Sequence, residues 1–190
     1  DVLKDLPIGN SKANEVFCDS AGRVWVALSG AGLVCFNEDM SFRTFMNSSV
    51  SNIGSDVTGL YEDSAGNIYA ASEVGLAMIS GDSVSLLARN VDVVSFSERK
   101  GSLLFACRDQ LLSVDMATRE QRKVDFVNLG AGEAVTMTLT GPDEEIFVGF
   151  KDNAVASFDP ETLVPRMRST DMGRVRYLFP DPEGLLWIAT

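Results

Sequence analysis

The sequence predicts an all-β chain assembled from antiparallel four-stranded units, and three observations predict it. A turn followed by an aromatic strand recurs: Asp19-Ser20-Ala21-Gly22 before Arg23-Val24-Trp25-Val26-Ala27, Asp63-Ser64-Ala65-Gly66 before Asn67-Ile68-Tyr69-Ala70-Ala71, and Asp181-Pro182-Glu183-Gly184 before Leu185-Leu186-Trp187-Ile188-Ala189. Two weaker copies fill the gap, Glu98-Arg99-Lys100-Gly101 before Leu103 to Cys107, and Pro142-Asp143-Glu144-Glu145 before Ile146 to Gly149. The aromatic markers at positions 25, 69, 105, 147 and 187 are 44, 36, 42 and 40 residues apart, the period of a propeller blade. Finally, the strands near the markers are apolar almost without interruption, as expected of sheets covered on both faces. A partial β-propeller of about four and a half blades follows, with blades at about 14–46, 55–88, 91–124 and 133–168 and an incomplete one at 173–190.

Each unit is justified in chain order by the same four segments. The first strands are Glu15 to Cys18, Val57 to Tyr61, Val91 to Phe96, Val135 to Leu139 and Val175 to Phe179, read as innermost. The marker strand comes second. A polar or Gly-containing break then leads to a third strand, at Gly32 to Phe36, Gly75 to Ile79, Leu111 to Val114 and Ala154 to Phe158. Polar fourth strands near Phe42–Phe45, Val84–Leu87, Gln121–Val124 and Val164–Met167 suit an outer edge. The Asp-x-x-Gly links supply a carboxylate for turn amides and a Gly for positive φ, so Asp19, Asp63 and Asp181 are read as turn hardware. Trp25, Tyr69, Phe105, Phe147 and Trp187 are expected at equivalent second-strand sites, each burying a large apolar area.

Composition excludes several function classes. Of 190 residues, 45% are hydrophobic and 23% charged, the ordinary globular balance. A formal charge of −11 with no Lys/Arg cluster repels a phosphate backbone, so no nucleic-acid partner is expected. No apolar run approaches the roughly 20 residues that span a membrane. There is no His, which removes the commonest general base and metal ligand; no catalytic residue, no metal site and no cofactor are expected. Gly30-Ala31-Gly32 and Gly130-Ala131-Gly132 lack the third Gly and helix of a dinucleotide loop and read as turns. The carboxylate runs Asp143-Glu144-Glu145 and Asp181-Pro182-Glu183 lie in links expected to be exposed, with ordinary pKa values. Cys18 and Cys35 sit on the first and third strands of one unit, about 9.5 Å apart and beyond bridging distance. All three cysteines, Cys107 included, therefore read as small core residues. Asn47-Ser48-Ser49 is a formal glycosylation sequon that matters only in a eukaryotic host. Both ends read as cut: Asp1 is not an initiator Met, and Leu185 to Thr190 is a strand that stops without a turn.

The pattern of an inner strand, Asp-Ser-x-Gly, then Asn-Ile-Tyr or Leu-Trp-Ile-Ala-Thr, then Gly-Leu, resembles the two-component regulator propeller repeat. The match is good over Val16 to Phe36, Val57 to Ile79 and Val175 to Thr190, and eroded in the two middle units. The resemblance implies a segment of the large periplasmic sensor region of a hybrid histidine kinase, the extracytoplasmic part of an inner-membrane protein. Such regions are typical of gut Bacteroidetes that detect glycan fragments. It implies further blades of the same protein as partners, and cut edges add an expectation of self-association.

Function is sought where the loops between second and third strands meet the loops that lead into each new unit. Arg108-Asp109 and Lys151-Asp152-Asn153 place charged pairs at equivalent points of adjacent units, and Glu133 and Arg174 occupy the neighbouring leading loops. These seven residues are the candidate ligand site, offering the donors and acceptors that an oligosaccharide needs. A non-enzymatic glycan sensor is the first reading, a protein-interaction scaffold the second, and a lyase or quinoprotein propeller the third.

Overall fold

A computed structural model of the chain describes residues 11–45, 54–140 and 144–190. The sequon at Asn47 and the first half of the 142–145 link lie outside the described residues. Four sheets are four-stranded and antiparallel, each in simple chain order. The first holds β1 Ala13–Cys18, β2 Val24–Leu28, β3 Gly32–Phe36 and β4 Phe42–Phe45. The second holds β5 Val57–Glu62, β6 Ile68–Ser72, β7 Gly75–Ser80 and β8 Ser83–Arg89. The third holds β9 Val93–Arg99, β10 Ser102–Cys107, β11 Gln110–Asp115 and β12 Gln121–Asp125. The fourth holds β13 Ala134–Thr140, β14 Glu145–Phe150, β15 Val155–Phe158 and β16 Pro165–Ser169, and β17 Tyr177–Pro180 pairs with β18 Leu186–Ala189 in a two-stranded sheet. The 3₁₀ turn Phe126–Leu129 links the third sheet to the fourth. The strands fall into two compact units, residues 1–92 and 93–190.

Three of the five links share one polar contact. In the first link the Asp19 carboxylate accepts from Ala21 N at 3.0 Å, Arg23 N at 2.8 Å and Arg23 Nε at 2.6 Å, and the indole Nε1 of Trp25 reaches it at 2.7 Å. The second link repeats this with Ala65 N, Asn67 N and the Tyr69 hydroxyl, which donates to Asp63 Oδ2 at 2.8 Å. In the third, Asp181 takes Glu183 N, Leu185 N and Trp187 Nε1 at 2.9 Å. The turn and the polar tip of the marker are thus tied to one carboxylate six residues upstream. Where that residue is not Asp the marker is Phe, which has no donor: Arg99 stands six residues before Phe105, and Gly141 six before Phe147. Arg99 is itself buried and turns to the neighbouring sheet, pairing with Glu161 at 2.7 Å and Glu144 at 3.3 Å.

Asp19 and Asp63 are buried rather than exposed turn residues. Burial works against the charge of Asp19, but the bonds from Trp25 and Arg23 and the Arg23 charge together outweigh it, leaving the carboxyl below its usual 3.8. Asp181 is lowered too, first by the Trp187 bond and then by Leu185 N, which corrects the expectation of ordinary values in that link.

The marker positions share one register, Phe17 opposite Trp25, Tyr61 opposite Tyr69, Phe96 opposite Phe105, Thr138 opposite Phe147 and Phe179 opposite Trp187. Trp25, Tyr69 and Phe105 are fully buried. Trp25 packs against Phe45 with ring centroids 5.3 Å apart, in a core that unites both sheets of the first unit. Phe147 is only half-buried and Trp187 is 61% exposed, contrary to expectation. The cause is the two-stranded sheet: β17 and β18 cover part of the fourth sheet with Leu178, Leu186 and Ile188, and among the described residues nothing covers their other face. Cys18 corrects a second expectation. It is exposed, on a β1 face that also bares Val16, whereas Cys35 and Cys107 are buried; none of the three is in a disulfide.

Within each unit the two four-stranded sheets are joined at their first strands, through Asn14 Nδ2 donating to Val57 O at 2.8 Å and Leu60 N donating to Glu15 Oε2 at 2.8 Å in the first, and Ser95 Oγ donating to Met137 O at 3.3 Å in the second. Each four-stranded sheet also carries a β-bulge near the start of its first strand, leaving Asn14, Thr58, Val94 or Val135 without an opposite partner. Bulges twist a strand and re-aim its side chains, so each of these first strands is bent near its start.

Candidate functional site

In residues 93–190 the loop after β10 meets the loop before β13. Backbone bonds fix the meeting: Ala134 N donates to Arg108 O, Phe126 N to Asp109 O and Lys151 N to Glu133 O, each at 2.8 Å. The result is a cleft of about 430 Å³ lined by Arg108, Asp109, Asp125, Glu133 and an apolar wall from Phe126, Val127 and Ala131. Phe126 anchors the wall, buried edge-on against Phe150 at 4.9 Å, while Val127 on the same 3₁₀ turn is 79% exposed. Gly130 ends that turn in the left-handed region.

Of the seven sequence candidates, three line the cleft: Arg108, Asp109 and Glu133. Lys151 joins them through Glu133, whose carboxylate lies 3.4 Å from Lys151 Nζ and 3.7 Å from Arg108 Nη1. All three side chains are exposed, so these pairs are weak and exchangeable. Asp152 is occupied differently. It accepts from Gly132 N and from Arg168 Nη2, both at 3.1 Å, and Arg168 also donates to Gly130 O at 2.9 Å. Asp152 therefore braces the 130–132 segment of the cleft wall. Asn153 sits at φ 66° in a turn and takes part through its backbone, accepting from Met172 N at 3.0 Å. Arg174 is exposed and belongs to none of these ion pairs.

Sequence reasoning missed Asp125, Phe126 and Val127. Their signal was present as an apolar Phe126-Val127-Asn128-Leu129 run assigned to no strand, directly before Gly130-Ala131-Gly132. In the first unit Glu73, in the loop between β6 and β7, has a carboxylate that accepts from Ser55 N at 2.9 Å and Asp56 N at 2.8 Å. Burial opposes its charge, yet those amides win and lower its pKa, so Glu73 holds a loop in place. Among the described residues no group of three His, Cys, Asp or Glu side chains converges to hold a metal ion.

No protein-family model and no curated protein matches the chain. Solved structures do. The extracellular domain of the hybrid two component system BT3049 from B. thetaiotaomicron superposes with a TM-score of 0.73 at 16% identity, over 96% of this chain and 26% of that one. The fold is that of a β-propeller segment. The extracellular domain of BT4673 from the same organism gives 0.70 at 15% identity over 94% and 25% of the two chains. PorZ, a bacterial surface component of the type-IX secretion system of Porphyromonas gingivalis, gives 0.67 at 12% identity over 94% and 30%. The chain spans about a quarter of the length of the hybrid-system domains it matches. Both are extracellular domains of the class that the repeat resembles. No helix among the described residues of this propeller segment is long and apolar enough to cross a membrane.

Proposed function

We propose that the chain is a non-enzymatic ligand-sensing segment of a periplasmic propeller in a hybrid two-component system, and that its ligand is an oligosaccharide fragment. The observation that carries the reading is the cleft. Arg108 and Glu133 offer charge-assisted donors and acceptors beside the apolar platform of Val127, the mixture of a flat apolar face and polar edges that a sugar ring presents. Support also comes from the fold shared with extracellular domains of hybrid systems. Binding residues are Arg108, Asp109, Glu133 and Lys151. Asp152 acts by positioning the wall.

Calorimetric titration with a panel of neutral, acidic and amino-sugar oligosaccharides tests this. One member of the panel is expected to bind, and Arg108→Ala with Asp109→Ala to weaken it by about tenfold or more, the scale of one charge-assisted hydrogen bond. No turnover is expected. Unchanged affinity in both variants contradicts the site, and steady turnover of any sugar contradicts the non-enzymatic reading.

One observation favours the second reading, a protein-interaction scaffold. Tyr177, Phe179 and Trp187 form an exposed aromatic face at 67%, 60% and 61%. Failure of the whole panel, together with association of the chain through that face, would favour a scaffold joined to further propeller strands or to a second copy.

A further inference from the structure

We infer that the outer groove of the first unit is an oxyanion-binding site, taking a carboxylate, phosphate or sulfate group. The groove, of about 390 Å³, lies between the β4 strand and the β7–β8 hairpin and is lined by Arg23, Asn37, Arg43 and Asp82. Two guanidinium groups line it, Arg23 paired through its Nε with the buried Asp19 and Arg43 with the exposed Asp82.

Both arginines are held by aromatic faces. Arg23 lies over the Trp25 ring at 5.2 Å and Arg43 over the Phe45 ring at 5.9 Å, and those two rings pack on each other at 5.3 Å. A stacked guanidinium keeps its in-plane donors available, and preorganisation lowers the cost of binding. Asp19 takes the Arg23 Nε; among the described residues its terminal nitrogens carry no hydrogen bond.

Asp82 shows what the groove accepts. Its carboxylate hydrogen-bonds Arg43 Nη1 from the tip of the hairpin, beside Gly81, and the two side chains are 80% and 54% exposed. An exposed pair of this kind is weak, so Asp82 acts as an internal stand-in that an external oxyanion displaces. Asn37 adds an amide on the groove wall, with one N–H on Ser41 Oγ at 2.9 Å and a second to offer.

The test is an NMR titration of the chain with inorganic phosphate, sulfate and galacturonate at constant ionic strength, following Trp25 Nε1–H and Arg23 Nε–H, with chloride as the control. Saturable shifts are expected for at least one oxyanion and none for chloride. Saturation by galacturonate alone marks a carboxylate ligand, and by phosphate or sulfate a tetrahedral one; each supports the site. Arg43→Gln should weaken binding about tenfold, the scale of one charge-assisted contact, and Asp82→Asn should tighten it severalfold by removing the competitor. Linear shifts that chloride reproduces overturn the inference, and so does saturable binding that either substitution leaves unchanged. Because the groove and the cleft share no residue, the outcome is independent of the sugar-sensing proposal.

Discussion

Trp25→Ala is expected to destabilise the first unit by about 3–5 kcal/mol, the range for truncating a fully buried large aromatic. The ring is 1% exposed and fills the core between the two sheets of residues 1–92. Its loss also leaves the buried Asp19 carboxylate without its Nε1 donor. Hydrogen exchange at the β2 and β3 amides reads this unit by itself, which a single melting curve of a chain with two compact units does not. Trp187 is the internal control. It occupies the same register and makes the same bond to Asp181, but at 61% exposure its truncation should cost about 1 kcal/mol or less. Equal losses at the two sites would mean that the packing around Trp25 is wrongly described.

Gly75→Ala is expected to cost on the order of 3 kcal/mol or more, because two independent obstacles combine. Gly75 opens β7 at φ 143°, where L side chains are strained, and a Cβ there would stand 2.1 Å from the carbonyl oxygen of Ala88 on the paired strand β8. That oxygen is backbone, so relief requires moving the strand. Gly22, at φ 79° with nothing within 4 Å of its would-be Cβ, isolates the conformational part. Its substitution by Ala should cost about 1 kcal/mol, the price of a left-handed non-Gly residue. Thermal unfolding of both variants checks the difference, and a loss under about 1 kcal/mol for Gly75→Ala would show that β8 is not packed as described.

The repeat was legible because three of its signals are local. The Asp-x-x-Gly turn, the aromatic strand and the Gly that opens the next strand follow within about fifteen residues, and each has a backbone reason. What the sequence did not yield was the bond between the signals. Asp19 reads as a turn former and Trp25 as core filler, and only the fold places one on the other. The pairing of Phe markers with links that lack Asp becomes meaningful only then. Trp187 failed for the opposite reason: its local sequence matches Trp25, but exposure depends on which sheet lies across it, and no local pattern carries that. The cleft was half legible. Arg108, Asp109 and Glu133 lie in loops whose place follows from the repeat, whereas Phe126 and Val127 belong to a connection that the period does not describe. Asp152 drew attention through its charge, and its task of bracing Gly132 rests on Arg168, sixteen residues away on another strand.

In the links that carry Asp, the tie between that carboxylate and the polar tip of the marker joins the turn to the second strand. A double-mutant cycle of Asp19→Ala and Trp25→Phe measures it. Asp19→Ala strands the buried indole N–H and Trp25→Phe removes one of the donors to Asp19, so the two should couple by about 1–3 kcal/mol at neutral pH. The folded-state pKa of Asp19 is depressed, so its contribution is present above the ordinary carboxyl value of 3.8 and is lost as pH falls through the lower folded value. The coupling should therefore fade on acidification in that window. Additive losses, within about 0.5 kcal/mol at neutral pH, would contradict the account.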